Sequence, residues 1–185
     1  GAIEPKKNVG RMIEAYLASG VKDPLVIVGK KAWKSEEELR LLFENEHVRY
    51  LMTRDGMTET RYRVQLVDYA SFPLLVSLIR GAKAVLFPSL YEGFGLPALE
   101  SMLLGTPVMT SNTSSMPEVV GDAAMKVDPY DIRAMVDAIR ALDSDAGLRG
   151  RLSEFGPRQA SLFSPERYQV RVRDAYAKLG VRLGG

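Results

Sequence analysis

Short apolar runs, each too short to make a helix, alternate along this chain with stretches of helical spacing. That alternation restricts the fold more than any other feature. Leu25-Val-Ile-Val28, Val48 to Met52, Val64 to Val67, Ala84 to Phe87, Pro107-Val-Met-Thr110 and Ala124 to Val127 read as strands. The stretches between most of them place apolar side chains three and four residues apart, the signature of one buried helix face. Val9, Met12, Ile13, Tyr16 and Leu17 show it early, and Ile132, Met135, Val136, Ile139 and Leu142 show it late. Strands that are apolar throughout, alternating with helices, require a parallel sheet covered on both faces. Leu25–Val28 is accordingly expected to be fully buried. The 185 residues suit one doubly wound α/β domain with a real core.

Local signals set the expected helix ends. Asn8 stands where a side-chain cap would open the first helix, and Gly20 where a left-handed residue would close it. Ser35 and Glu38 have capping-box spacing and open a helix through about Asn45. The polar stretch Thr53 to Arg63 reads as a loop or hairpin, and Pro73 to Arg80 as a short helix. A helix from Ala146 is expected to break at Gly156-Pro157, and a last one to start at Ser164 with Pro165 in its first turn.

Composition excludes several classes. Cysteine is absent, which removes disulfides and thiolate metal sites, and a single histidine offers no metal cluster. A formal charge of +2 gives no argument for nucleic acid. No apolar stretch is long enough to span a bilayer, no signal peptide is evident, and a cytoplasmic location is the default expectation. From Asp145 onward eight Arg or Lys face four acids. That excess suits peripheral contact with an anionic membrane, but is more often a solvated helix face. His47, beside Glu44-Asn-Glu46, reads as a surface residue.

The segment Pro88-Ser-Leu-Tyr-Glu-Gly-Phe-Gly-Leu-Pro-Ala-Leu-Glu100 carries the chemistry. An apolar run feeds a Gly-containing loop, and the loop feeds a helix. Free loop amides and a helix N-terminus favour an anion. Two carboxylates, Glu92 and Glu100, bracket the loop with seven residues between them. An anion would repel them, so they make sense as acceptors from neutral hydroxyls such as those of a sugar or ribose. The implied ligand is a sugar joined to a nucleoside through phosphates. Lys7, just ahead of the first helix, is placed to pair with a phosphate. Trp33 is a candidate for stacking on a base, with core packing the commoner fate, and Lys30 and Lys31 read as solvated. Ser111 to Ser114 suit either a ligand or the cap of the helix at Pro117.

With Gly105-Thr-Pro-Val108, Ser111-Asn-Thr-Ser-Ser-Met-Pro-Glu118, Lys6-Lys-Asn8, Val120-Gly-Asp-Ala123 and Asp128-Pro129, this segment resembles the C-terminal domain of family-4 retaining glycosyltransferases. The resemblance covers almost the whole chain. It implies a Rossmann-like sheet, the C-terminal half of a two-domain GT-B fold, with no metal or cofactor and a nucleotide-diphosphate sugar as donor. Glu92 would lie by the transferred sugar and Glu100 would bind the ribose hydroxyls. The segment Gly93, Phe94, Gly95 and Leu96 would approach the sugar and diphosphate, Lys7 would neutralise the leaving diphosphate, and backbone near Leu66 to Tyr69 would meet the base. Many relatives carry an Arg after the Gly of the first loop where this chain has Ala2; Lys6 and Arg11 are the candidate substitutes. The resemblance also implies an acceptor-binding N-terminal domain and a first strand ahead of Gly1, so this chain alone is expected to show no transfer.

Gly93-Phe-Gly-Leu-Pro-Ala98 also fits a degenerate dinucleotide fingerprint, but that reading wants an acid after the next strand, where Thr110-Ser111-Asn112 stands. A non-catalytic nucleotide-sugar-binding module is the alternative class; an epimerase or phosphorylase has less support.

Overall fold

A computed structural model describes residues 1–44, 48–52 and 58–180. After a 3-10 turn at Pro5–Lys7, the elements run α1 (Val9–Ser19), β1 (Leu25–Val28), α2 (Ser35–Glu44), β2 (Val48–Met52), β3 (Thr58–Tyr62) and β4 (Val64–Val67). Then come α3 (Phe72–Gly81), β5 (Val85–Phe87), α4 (Leu96–Leu103), β6 (Val108–Ser111) and α5 (Met116–Val120). β7 (Met125–Val127), α6 (Ile132–Ser144), α7 (Ala146–Ser161) and α8 (Pro165–Lys178) complete the order. Two parallel ladders result. β1 pairs with β4, and β5, β6 and β7 follow in that order. The expected parallel α/β architecture is therefore present. β2 stands apart, in an antiparallel pair with β3 that matches Val48 to Tyr62, the hairpin the polar stretch suggested. Asn45 and His47 lie outside the described residues.

Strand periodicity builds the two cores. Neighbouring residues of β6 point to opposite faces, so Met109 enters one apolar cluster and Val108 the other. The first cluster gathers Ile13 and Tyr16 of α1, Leu39 of α2 and Met135 and Ile139 of α6. The second gathers Leu99 and Met102 of α4, Met116 and Val120 of α5 and Ala160 of α7. Helices on both faces are what a sheet apolar on both sides demands.

Three expectations are corrected. Only Ile27 of β1 is buried, because a cleft of about 840 Å³ lies between the β1 edge and the β5 edge. Residues 1–3 run into that cleft: the Gly1 amine donates to the Val28 carbonyl at 3.0 Å and Ile3 bridges Lys31 in parallel. The chain passes so close that any Cβ at position 29 would overlap the Gly1 carbonyl, and glycine occupies it. Second, Ser35 and Glu38 make no capping box. Ser35 is already helical, and the Glu38 carboxylate accepts from the Gly10 amide at 2.7 Å, in the first turn of α1. Third, α7 runs through Pro157 unbroken. Its buried stripe of Leu152, Gly156 and Ala160 offsets the lost hydrogen bond, and Gly156 lets the α4 backbone approach at Met102. The expected Gly20 terminus and Ser164 cap are both observed.

Candidate functional site

At the carboxyl edge of the β5–β6–β7 ladder three loops meet, and Asn8 joins them. This residue is 1 % exposed and adopts a left-handed φ of 58°, which asparagine tolerates better than most residues. It does not cap α1 with its side chain. Its Nδ2 instead donates to the Pro88 carbonyl at 3.0 Å and the Pro129 carbonyl at 2.7 Å, while its Oδ1 accepts from Arg11 at 3.0 Å. The entrance of α1 is thereby locked to the loops after β5 and β7. The Leu90 amide adds a bond to the Lys6 carbonyl at 2.8 Å.

That lock delivers Lys7 to the motif loop. Its Nζ meets Glu92 Oε1 at 2.6 Å and lies 5.3 Å from the centre of the Phe87 ring. Side-chain exposure is only 19 % for Lys7 and 11 % for Glu92, so the pair is sheltered from screening by water. Glu100, one turn into α4, is exposed and borders the cleft between β1 and β5, as Lys7 does.

The loop itself is held by hydroxyls. Thr113 donates to the Leu90 carbonyl at 3.2 Å, and Ser114 both donates to the Glu92 carbonyl at 2.5 Å and accepts from the Glu92 amide at 3.1 Å. Ser115 reaches the carbonyls of Glu92 and Phe94, each at 3.0 Å. Ser115, the residue before α5, does not cap it with its side chain, and Thr113, Ser114 and Ser115 form a clamp on loop carbonyls. With carbonyls engaged from that side, the amides of Gly93, Phe94 and Gly95 find no acceptor among the described residues. Gly95 is buried at φ 99°, directly against Met116. Leu96 starts α4 and is 56 % exposed.

The side chain of Phe94 turns to α7's end, edge-on to Phe163 with ring centres 5.4 Å apart, and Arg171 covers the far ring at 5.4 Å. Sequence reasoning missed that anchor, the hydroxyl clamp and the role of Asn8. Each proposed substitute for the missing arginine has a protein partner, as Lys7 does. Arg11 holds Asn8 and lies over Tyr130, and Lys6 pairs with Glu4 at 3.2 Å. Trp33 packs in no core; it is 70 % exposed under Lys34. Tyr69, after β4, is 74 % exposed. Among the described residues no group of acids and histidines is arranged to hold a metal, and no helix is long and apolar enough to cross a membrane.

Comparison with known proteins identifies the family and the fold. The family described as Glycosyl transferases group 1 matches residues 1–159. O-antigen chain mannosyltransferase B of Escherichia coli is 33 % identical over 183 residues, 97 % of this chain and 45 % of that protein. Among solved structures, sucrose-phosphate synthase of Thermosynechococcus elongatus superposes with a TM-score of 0.75 at 24 % identity, covering 97 % of this chain and 44 % of that one. Anabaena HepE, solved in complex with UDP and glucose, gives 0.71 at 20 % identity over 87 % of this chain and 42 % of its own. The chain spans less than half the length of the curated relatives it matches. The fold is the Rossmann-like C-terminal half of a GT-B fold. The chain belongs to the family of glycosyl transferases of group 1.

Proposed function

We propose that this domain is the donor-binding half of a retaining, family-4-type glycosyltransferase that moves a hexose from a nucleotide-diphosphate sugar to an acceptor hydroxyl in glycan synthesis. The observation that carries the reading is the sheltered Lys7–Glu92 pair beside the unpaired Gly93–Gly95 amides, with Glu100 one turn into the helix that follows. Relatives named as mannosyltransferases, and a structural neighbour solved with UDP and glucose, support it.

Each residue then has a physical task. Cleaving the sugar–phosphate bond places positive charge on the anomeric carbon and negative charge on the leaving oxygen. Lys7, the loop amides and the N-terminus of α4 stabilise the growing negative charge. Glu92 accepts hydrogen bonds from hydroxyls of the transferred sugar. Glu100 accepts from the two ribose hydroxyls, and backbone at Leu66 to Tyr69 meets the base. The acceptor is held by a second domain, so this half alone binds donor without transferring sugar. No metal or cofactor is required in this scheme.

Calorimetric titration with UDP, GDP, ADP and dTDP tests it. One nucleotide is expected to bind, and Glu100→Ala to weaken it about tenfold or more, because two ribose hydrogen bonds to a charged acceptor are lost. Equal affinity for all four, no affinity for any, or indifference to Glu100→Ala contradicts the proposal.

A further inference from the structure

Lys7 and Glu92 are each other's partner at 2.6 Å, yet the donor-site reading gives Lys7 to the diphosphate and Glu92 to the sugar. One ammonium has donors enough to touch both, but a diphosphate and a sheltered carboxylate competing for a single cation repel each other, so the pair loosens when the diphosphate draws on Lys7. We infer that donor binding exchanges these partners, and that the exchange makes Glu92 a discriminator between a nucleoside diphosphate that carries a sugar and one that does not. The inference rests on the donor-site reading.

The argument is one of charge and shelter. When diphosphate oxygens take Lys7, the Glu92 carboxylate loses its cation while only 11 % exposed. A sheltered carboxylate stripped of its partner and set beside an anion is costly. The loop cannot simply carry it away, because the Glu92 amide and carbonyl are both bonded to Ser114 and the carbonyl also to Ser115. Phe87 closes one side of Lys7 with an apolar ring and offers Glu92 no donor. Compensation has to come from the ligand. A sugar brings several hydroxyl donors, whereas the phosphate end of a bare nucleoside diphosphate brings none. The pair thus favours the sugar-loaded ligand and disfavours the spent one. In a transferase that bias promotes donor uptake and product release from the same site.

The test is calorimetric titration of this chain and its Glu92→Gln variant with UDP, GDP, UDP-glucose and GDP-mannose. Glutamine keeps the size and removes the charge, and melting curves for both proteins verify folding. The wild type is expected to bind the sugar-bearing ligand about tenfold more tightly than its bare diphosphate, the scale of one charge-assisted hydrogen bond. Glu92→Gln releases Lys7 and should bind the bare diphosphate roughly five- to tenfold more tightly than wild type does, with the preference shrinking to about twofold. Glu92→Ala should move bare-diphosphate affinity in the same direction. Weaker or unchanged binding of the bare diphosphate by both variants overturns the exchange and leaves the donor site standing. Failure of all proteins to bind any of these four ligands, or ADP or dTDP titrated alongside them, overturns the donor site itself, and the exchange with it.

Discussion

Asn8→Asp is expected to destabilise the domain at least as much as Asn8→Ala, although aspartate is nearly the shape of asparagine. The reason lies in which atoms face which. Nδ2 of Asn8 is the shared donor to two carbonyls, at 3.0 and 2.7 Å, in a site that is 1 % exposed. Alanine leaves both carbonyls without that donor and forces a residue without a polar side chain into the left-handed region at φ 58°. Together these cost about 3 kcal/mol. For a domain of this size the melting temperature falls by roughly 6–12 °C. Aspartate keeps the acceptor that faces Arg11 but turns a carboxylate oxygen against the same two carbonyls, so repulsion replaces attraction. Thermal melts of the three proteins decide it; an aspartate variant that melts with the wild type would contradict the lock.

The second large effect is expected at Gly95. Its φ of 99° is one that side chains rarely adopt, and a Cβ there would stand 2.5 Å from Sδ and 2.9 Å from Cε of Met116. Met116 is fully buried in the second core and cannot swing into solvent. Gly95→Ala therefore combines backbone strain with overpacking, about 2–4 kcal/mol in all. It should also weaken nucleotide binding, since the Gly93–Gly95 amides would shift. Met116→Ala alone opens a cavity at a cost of about 2–5 kcal/mol. The double variant is expected to lose clearly less than the sum of the two single losses, because alanine at 116 removes the clash and the methyl at 95 fills part of the cavity. Strict additivity in denaturant melts would show that the two residues are not in steric opposition.

Local pattern made some of this molecule legible before its structure. The apolar runs at 25–28, 64–67, 85–87 and 108–110 are strands, although only the last of them is buried along its whole length. Gly20 and Ser164 act as read, because a left-handed turn and a cap on the Arg167 amide are both set by neighbours in sequence. Expectations failed where a distant partner outbid the local one. Asn8 has good capping chemistry but spends it on carbonyls 80 and 121 residues away. Glu38 serves another helix, and Pro157 is carried by packing on α4. The candidate site divides in the same way. The residue types of Lys7, Glu92, Gly95 and Glu100 announced an anion with hydroxyls nearby. Thr113 and Ser114 read as ligand or cap residues, and the clamp they form on the loop together with Ser115 has no local signature. Their partners lie more than twenty positions upstream, beyond the reach of any local motif.

The most direct test of the donor site is a crystal structure of this chain with the nucleotide-diphosphate sugar that titration selects. The account predicts ribose hydroxyls on the Glu100 carboxylate, phosphate oxygens on the Gly93–Gly95 amides, and Lys7 drawn from Glu92 to the diphosphate. A ligand seated elsewhere, or one that leaves Glu100 untouched and the Lys7–Glu92 pair intact, would contradict it.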